Sequence, residues 1–333
     1  MRRASPVVSV VTPFHDTGEF LEECIESVLA QSFEDFEYIL VDNHSTDEGP
    51  RIATHYAQAD ERIRLVSPSS LLSQGDNFNF ALRQISSDST YCKMVLADDW
   101  LYPQCIAEMV ALADANPSVG LVSSFVLAET TVWGAGLPSR RTVFTGHEVG
   151  HAFLADRVHP FGNESSVLYR ADLVRGRDPF FDESTVFFDT DAALRILGDH
   201  DFGFVPQVLS FFRVHDSSIT SRTQSYTPVA ADHMIAIRNH GPTFLSDEEL
   251  TNRTQQTTGW FYEGLGRQRL RELTGARDDA FWEYQRRCLA AAGSELSAAL
   301  VWRGMARALL VSAMSPGDQL RGLRRRWLSR RRR

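Results

Sequence analysis

Short apolar runs alternate with amphipathic stretches through residues 7–127, and this alternation restricts the fold more than any other feature. Residues 7–12 form a β-branched run that stops at Pro13, as in a strand buried on both faces. Residues 19–31 instead carry apolar side chains at helical spacing. Because alternating strands and helices form parallel sheets, we predict an α/β fold with a mostly parallel sheet flanked by helices.

The same two patterns recur down the chain and then give way to helices alone. Further strands are predicted at 38–42, 63–66, 91–97, 119–127, 165–169 and 204–213. Helices alone are predicted at 230–239, 248–273, 279–292 and 294–312. We therefore predict an α/β domain at 1–225, a helical C-terminal region at 226–320 and an Arg-rich tail at 321–333.

The helix after the second predicted strand has a recognisable start. Ser45 and Glu48 have the spacing of a capping box, in which each side chain accepts a hydrogen bond from the other's backbone. Pro50 follows, and proline is favoured in the first turn of a helix. The pattern predicts a helix that continues to about Ala59.

Polar residues stand where several predicted strands end, and ligands of parallel sheets bind outside those carboxyl ends. Thr12, Asp42 and the pair Asp98–Asp99 occupy these positions. The acidic pair suits Mg²⁺ or Mn²⁺, which in turn neutralises a diphosphate. A local turn at Asp42 and a helix cap at Asp98–Asp99 account for the same residues without a ligand. No Gly-rich phosphate loop follows the first strand, which favours a metal–nucleotide complex.

The formal charge of -9 is unevenly distributed along the 333 residues. Residues 265–333 contain sixteen Arg and six acidic residues, a balance of +10. The remaining 18 basic and 37 acidic residues give residues 1–264 a balance of -19. This acidic excess argues against non-specific nucleic-acid binding by the main part of the chain, so we expect no nucleic-acid partner there.

The cysteines and the hydropathy bear on the compartment. Cys24, Cys92, Cys105 and Cys288 lie far apart with no paired spacing, which indicates reduced thiols rather than a disulfide framework or zinc site. No apolar run approaches the length of a membrane span or a signal-peptide core. We therefore expect a cytoplasmic protein, with peripheral contact at the inner face of the membrane as an option.

Several motifs stand in order and at characteristic spacing along residues 5–222. The N-terminal ones are VVTP at 10–13, EYILVDNHSTD at 37–47 and the helix containing Asn79. The later ones are LADDWLYP at 96–103, FFDE at 180–183, DTDAALR at 189–195 and RVH at 213–215. Any one of these motifs is weak evidence, whereas the ordered set strongly resembles family 2 glycosyltransferases.

The resemblance implies a GT-A-type nucleotide-sugar fold and an inverting, metal-dependent transfer to a hydroxyl group, with 1–225 as the catalytic domain. The residues it implies for donor binding are Thr12, Pro13, Asp42, Asn79 and Asp98. For Mn²⁺ or Mg²⁺ it implies Asp98 and Asp99, with His215 assisting the metal or the diphosphate. The implied donor is a UDP-, GDP- or dTDP-linked sugar, and the implied acceptor is a glycan or a lipid-linked glycan of the cell surface or a secreted polymer.

The catalytic base that the resemblance implies is Asp189, with Asp191 as the alternative. A carboxylate in this role removes the proton of the acceptor hydroxyl as its oxygen attacks the anomeric carbon. Both residues also fit a simpler reading, in which they stabilise the N-terminus of a helix through its dipole.

A competing motif, His147-Glu148-Val149-Gly150-His151, fits the HExxH pattern of zinc peptidases. On a helix it would bring both imidazoles to one face with Glu148 as the base. Gly150 weakens such a helix, and Leu154 and Arg157 stand where the extended pattern requires Gly and His. We therefore interpret the motif match mainly as a coincidence of sequence. A zinc peptidase built on His147, Glu148 and His151 is kept as the alternative.

The basic run at residues 324–333 has three interpretations. It is a solvated tail, a contact with anionic lipid in which Trp327 and Leu328 enter the interface, or a nucleic-acid contact. A non-catalytic protein that binds membrane or RNA through this tail is the alternative outside enzymology. The helix predicted at 294–312 is expected to pack in a core or at a dimer interface rather than in a membrane.

Overall fold

The computed structural model describes residues 6–156, 158–183, 187–215 and 228–314. These residues form two compact units. Within the described ranges, the first unit contains residues 6–215 and 240–246, and the second contains 228–239 and 247–314. The predicted boundaries at residues 225 and 320, and the whole predicted tail, lie outside the described residues.

The first unit is built on a sheet of ten strands. They are β1 (Val8–Phe14), β2 (Phe36–Asp42), β3 (Ile63–Val66), β4 (Tyr91–Met94), β5 (Trp100–Leu101), β6 (Val119–Ala128), β7 (Thr131–Trp133), β8 (Val143–Phe144), β9 (Val167–Arg170) and β10 (Asp201–Phe212). The order is β3-β2-β1-β4-β9-β6-β10-β5, with β7 beside β6 and β8 beside β10. The segment between β6 and residue 146 thus contributes two short strands, β7 and β8.

The sheet is parallel on one side and mixed on the other. Strands β3, β2, β1 and β4 run parallel, and β6 and β10 run parallel to each other. Between these groups lies β9, which is antiparallel to both β4 and β6. The start of β9 therefore meets the carboxyl ends of β1, β2 and β4 at one edge of the sheet.

Helices cover the sheet as the sequence predicts. Those of the first unit that precede β10 are α1 (Gly18–Leu29), α2 (Gly49–Ala59), α3 (Gln74–Leu82), α4 (Cys105–Asp114), α5 (Gly146–Asp156), α6 (Ala171–Arg175) and α7 (Phe188–Leu197). Every residue of β1 is buried, as expected for a strand covered on both faces. The α/β class with a helix-flanked sheet is confirmed.

The predicted capping box of α2 is wrong. The helix begins at Gly49, whose N–H donates to Asp47 Oδ1 at 2.9 Å. The Ser45 hydroxyl instead accepts a hydrogen bond from the Asp16 N–H at 3.1 Å. The loop that follows β1 therefore binds Ser45. The Ser45 side chain makes a tertiary contact instead of capping the helix.

In the described part of the chain, four helices follow the sheet. They are α8 (Pro228–Phe244), α9 (Asp247–Glu272), α10 (Asp279–Ala291) and α11 (Ala298–Met314). The last begins four residues later than predicted, after Gly293 turns the chain with a φ of +61°. None of the helices in the described ranges combines the length and apolarity that crossing a bilayer requires.

Within the second unit, α9 and α11 approach closely at two glycines. A Cβ at Gly266 would lie 2.2 Å from the Met305 nitrogen, and one at Gly304 would lie 1.9 Å from the Tyr262 oxygen. Backbone atoms cannot yield to a side chain as a flexible side-chain end can. The two glycines therefore fix the crossing and decide which face of α11 is covered.

Replacing Gly266 by Ala will destabilise the second unit by about 1–3 kcal/mol, the usual cost of overpacking. Gly259 lies on the same helix, and its nearest neighbour is the flexible end of Arg307 at 3.0 Å. Gly259→Ala should therefore stabilise by up to about 1 kcal/mol through helix propensity. Urea unfolding followed by far-UV circular dichroism compares the two, and equal midpoints would contradict the close crossing.

Candidate active site

A turn after β2 shapes one side of the site. The Asp42 carboxylate accepts a hydrogen bond from the Ser45 N–H at 2.9 Å. Asn43, which is buried, exchanges two hydrogen bonds with the Leu72 backbone, at 3.0 and 2.9 Å. The Asn43 side-chain amide thus links the end of β2 to the loop before α3. Asp42, the last residue of β2, lies beside this link.

Thr12 and Pro13, the other predicted donor contacts on this side, lie inside the sheet. Thr12 is fully buried, and its hydroxyl shares a hydrogen bond of 3.0 Å with the hydroxyl of Tyr38. Pro13 is also buried and pairs in register with Val41. Both side chains are therefore buried at the end of β1, and the donor contact expected of these residues stays a prediction.

Asp98 and His215 meet at the same edge. His215 Nε2 lies 2.9 Å from Asp98 Oδ2, and each side chain keeps about a fifth of its surface exposed, 20% and 22% respectively. In the hydrogen-bonded pair the imidazole donates to the carboxylate, so His215 would bind a cation through Nε2 only in its other tautomer. The structure therefore brings together two of the three residues predicted to bind metal, with Asp98 Oδ2 and His215 Nε2 adjacent.

Asp99, the third of these residues, is almost completely buried. Its Oδ2 accepts hydrogen bonds from Asn163 at 2.7 Å and from the Ser165 hydroxyl at 2.6 Å. Its Oδ1 accepts from the Arg213 N–H at 3.1 Å. Burial and the neighbouring charge of Asp98 raise the pKa of Asp99 to about 7, although these hydrogen bonds oppose the rise.

Phe20 on α1 supports the residues that follow β10. The Arg213 guanidinium lies 4.7 Å from the centre of the Phe20 ring, and the His215 ring lies 5.1 Å from it. Arg213 also donates to the Asp98 carbonyl oxygen and forms an ion pair with Glu23. The segment after β10 is thereby held over the end of β4.

Glu164 links this acidic edge to the predicted catalytic helix, a role that sequence reasoning missed. It lies in the single 3-10 turn before β9 and is buried. Burial raises its pKa well above the usual range, and the charges of Asp189, Asp99 and Asp98 raise it further. Glu164 therefore lies within electrostatic reach of both groups of carboxylates.

The two candidate bases at the start of α7 occupy different environments. Burial raises the pKa of Asp189, which the neighbouring His159 partly offsets. Asp191 accepts hydrogen bonds from His240 at 2.8 Å and from Arg195 at 2.7 Å, one on each oxygen. Burial acts to raise the pKa of Asp191 too, but His240 and Arg195 outweigh it and the pKa is lowered.

Asn79, whose donor contact stays a prediction, joins α3 to the segment before α7. It is buried, donates to the Phe181 carbonyl oxygen at 2.8 Å and accepts from the Phe181 N–H at 2.9 Å. Glu183 adds a second connection, because its carboxylate accepts from the Gly75 N–H and the Ser73 hydroxyl at the start of α3. The donor-side helix and the base-side segment thus form one structure.

The peptidase alternative finds no support. Glu148 lies on α5, where its carboxylate forms a two-point ion pair with Arg141 at 2.8 and 2.7 Å and also accepts hydrogen bonds from Thr145. Arg141 and these bonds lower the pKa of Glu148 to about 2. The His147 ring packs against Phe244, with ring centres 5.9 Å apart and ring planes inclined by 59°. The HExxH pattern here is the capped start of a helix.

Within the described residues no three His, Cys, Asp or Glu side chains converge as a metal-binding group. The pair Asp98 and His215 nevertheless fits a hard divalent cation of the Mn²⁺ type, since one carboxylate and one imidazole lie with donor atoms adjacent. Such cations in nucleotide sites complete their coordination with substrate phosphate oxygens and water.

Residues 9–176 match the family described as Glycosyl transferase family 2. The chain belongs to this family. The match spans half of the chain and contains Asp42, Asn79, Asp98 and Asp99, whereas the α7 carboxylates and His215 lie beyond it. The family membership identifies the acidic edge described above as part of a glycosyltransferase.

Two curated relatives are similar to this glycosyltransferase over about a third of its length. The O-antigen biosynthesis protein RfbC of Myxococcus xanthus is 36% identical over 124 residues, 35% of this chain and 9% of that protein. The uncharacterized glycosyltransferase EpsJ of Bacillus subtilis is 32% identical over 112 residues, 33% of this chain and 31% of that protein. The aligned region thus spans less than a third of either relative.

Solved structures with the same fold cover most of the glycosyltransferase. S. aureus TarS 1-349 in complex with UDP-GlcNAc has a TM-score of 0.55 at 17% identity, covering 85% of this chain and 79% of that one. The mannosyltransferase PcManGT from Pyrobaculum calidifontis, in complex with GDP-Man and Mn²⁺, has a TM-score of 0.56 at 18% identity, covering 94% and 87%. The predicted GT-A-type fold is confirmed.

Asn79→Ala will lower the stability of the glycosyltransferase, because it leaves the buried N–H and C=O of Phe181 without partners, at about 1–3 kcal/mol for each group. Asn77 is the matched control on the same helix: it is equally buried, and its Oδ1 has no partner among the described residues. Urea unfolding should give a clearly larger loss for Asn79→Ala. Equal losses would contradict the clamping role.

Proposed function

We propose that this family 2 glycosyltransferase transfers a sugar from a nucleoside-diphosphate donor to a hydroxyl group with inversion, aided by Mn²⁺ or Mg²⁺. The observation that carries the proposal is the Asp98–His215 pair, 2.9 Å apart at the carboxyl ends of the parallel strands. Parallel sheets bind ligands at this edge. The nucleotide sugars bound by TarS and PcManGT support the same donor class.

Asp98 and His215 would hold the cation, which when bound supplies positive charge to the departing nucleoside diphosphate. Asp99 has a positioning role in this proposal, because its two oxygens accept hydrogen bonds from three sides. Those bonds keep the backbone of residues 98–99 in place beneath the donor. Asp42 at the neighbouring strand end would accept hydrogen bonds from the nucleoside.

Asp189 would act as the base. The acceptor oxygen attacks the anomeric carbon, the bond from that carbon to the diphosphate oxygen breaks, and the acceptor proton passes to the Asp189 carboxylate. A raised pKa suits a group that must take up a proton near neutral pH. Asp191 is occupied by His240 and Arg195 and would hold the start of α7 in place.

We further propose a UDP-, GDP- or dTDP-sugar as the donor and a glycan or lipid-linked glycan as the acceptor, in the assembly of a cell-surface or secreted polymer. The name of RfbC, an O-antigen biosynthesis protein, supports such a setting. Reduced cysteines and the Arg-rich tail support a cytoplasmic site of action with contact at the inner face of the membrane.

A panel of UDP-, GDP- and dTDP-sugars tested for hydrolysis with Mn²⁺, with Mg²⁺ and with a chelator will identify the donor. We expect activity with one nucleotide, its loss on chelation, and a drop of at least about 10²-fold in Asp98→Asn. His147→Ala is the control and should keep wild-type activity. Magnetic resonance of the released sugar should give the anomer opposite to that of the donor.

A different result separates the alternatives. If His147→Ala lost activity while Asp98→Asn kept it, the result would favour a zinc site at α5. Absence of nucleotide binding in calorimetry with Mn²⁺ present would favour a non-catalytic role. Release of a sugar with the donor's own anomeric configuration would overturn inversion and leave the donor assignment standing.

Asp189→Asn and Asp191→Asn should differ in both activity and stability. We expect Asp189→Asn to lower kcat by about 10²- to 10⁴-fold. Its stability at neutral pH should match or exceed that of the wild type, because it removes a desolvated charge. Asp191→Asn should instead cost about 1–3 kcal/mol, since it removes the charge that pairs with Arg195 and His240. Greater loss of kcat in Asp191→Asn would reverse the assignment.

The contributions of Asp189 and Asp191 to the free energy of unfolding depend on pH with opposite signs. The pKa of Asp191 in the folded protein lies below the usual value of 3.8. The stability that Asp191 contributes is therefore present above pH 3.8 and is lost as the pH falls through the folded pKa. The pKa of Asp189 in the folded protein lies above 3.8. The stability that Asp189 contributes is therefore present below pH 3.8 and is lost as the pH rises through the folded pKa. Urea midpoints from pH 3 to 8, together with kcat profiles, measure both effects.

A further inference from the structure

Helix α11 carries an exposed apolar stripe along one face. Trp302, Leu309 and Leu310 are exposed to 65%, 56% and 64% of their surface, and Ala306 lies exposed between them. Their positions, i, i+4, i+7 and i+8, fall on one side of an α-helix. The other exposed large apolar side chains of the described residues are single or in pairs, whereas these gather on two turns of one helix.

The opposite face of α11 is already occupied. Val301, Met305 and Ala308 are buried, and Gly304 lies against α9, where no Cβ would fit. The helix therefore cannot rotate to cover its apolar stripe. The sequence suggested that this helix packs in a core or at a dimer interface; its apolar stripe remains exposed on the surface of the second unit.

Positive charge accompanies the stripe. Arg303 and Arg307 are exposed on the adjoining side of α11, and Arg307 pairs with Glu263 at 3.1 Å. The chain continues from this helix into residues 315–333, whose sequence holds eight Arg and one acidic residue, a net charge of +7. An apolar face with Trp and Leu beside arginines is the composition of helices that lie in a membrane interface.

We propose that α11 docks on an anionic lipid bilayer, with Trp302, Leu309 and Leu310 entering the headgroup region while Arg303 contacts lipid phosphates. This goes beyond glycosyl transfer and does not depend on it. A second copy of the chain is a poorer occupant, because it would bring two strongly cationic segments together. Nucleic acid would use the arginines but leave the apolar stripe exposed.

Flotation of the full chain with vesicles tests the proposal. One set of vesicles is phosphatidylcholine, and the other is phosphatidylcholine mixed with phosphatidylglycerol. We expect binding to the second set alone, weakened by added salt. The double variant Trp302→Ser/Leu309→Ser should reduce the partition coefficient by at least about tenfold, since both side chains leave the interface.

Leu273→Ser is the matched control, because Leu273 is exposed to 66% in the same unit but lies off α11. It should bind vesicles as the wild type does. Trp302→Phe should keep binding while losing part of the blue shift in tryptophan emission that vesicles cause. Circular dichroism should be unchanged in all variants, because the replaced side chains are exposed.

Several outcomes would overturn the proposal. Equal vesicle binding by the double variant and the wild type would assign any lipid contact to the tail alone. Concentration-dependent self-association that the double variant abolishes, without vesicle binding, would make the stripe an interface between copies. Binding to RNA without binding to anionic vesicles would assign the arginines to nucleic acid. Donor hydrolysis in solution is measured separately, so failure here leaves the proposed chemistry untouched.

Discussion

A buried carboxylate, that of Asp99, holds the site together. It accepts hydrogen bonds from the turn before β9 and from the residue after β10, while its own backbone follows β4. Three strand ends therefore meet on one side chain that has almost no contact with water. Since an unpaired buried charge is costly, these strands can form this edge only when all the donors are in place.

The antiparallel strand β9 explains both what the sequence predicts and what it does not. Alternating strands and helices predicted β1 to β4, and so Asp42 and Asp98 were found from their positions at strand ends. A parallel β9 would begin at the opposite edge of the sheet. Because β9 is antiparallel to β4, its start carries Asn163, Glu164 and Ser165 into the site. Strand direction depends on partners far away in sequence, which local patterns do not contain.

The same limit applies to the two aspartates of α7. They lie two residues apart, and both match the expectations for a helix N-terminus or a base. His240, distant in sequence, is what separates them, because it pairs with Asp191 and leaves Asp189 in a desolvated position. Residue spacing predicted the correct helix start, whereas only the tertiary contact distinguishes an occupied carboxylate from one whose pKa is raised.

The connection between Asn79 and Phe181 gives these separate features a common frame. α3 follows the loop that Asn43 ties to β2, and Asn79 and Glu183 then bind the base-side segment to α3. Arg195 of α7 in turn donates to the Phe180 carbonyl oxygen, which returns the connection to the base helix. A displacement at the Asp42 turn would therefore be transmitted through hydrogen-bonded contacts to the start of α7. In the proposed transfer, where the base must meet an acceptor beside the bound donor, this continuity would keep the distance between the proposed donor site and the proposed base constant.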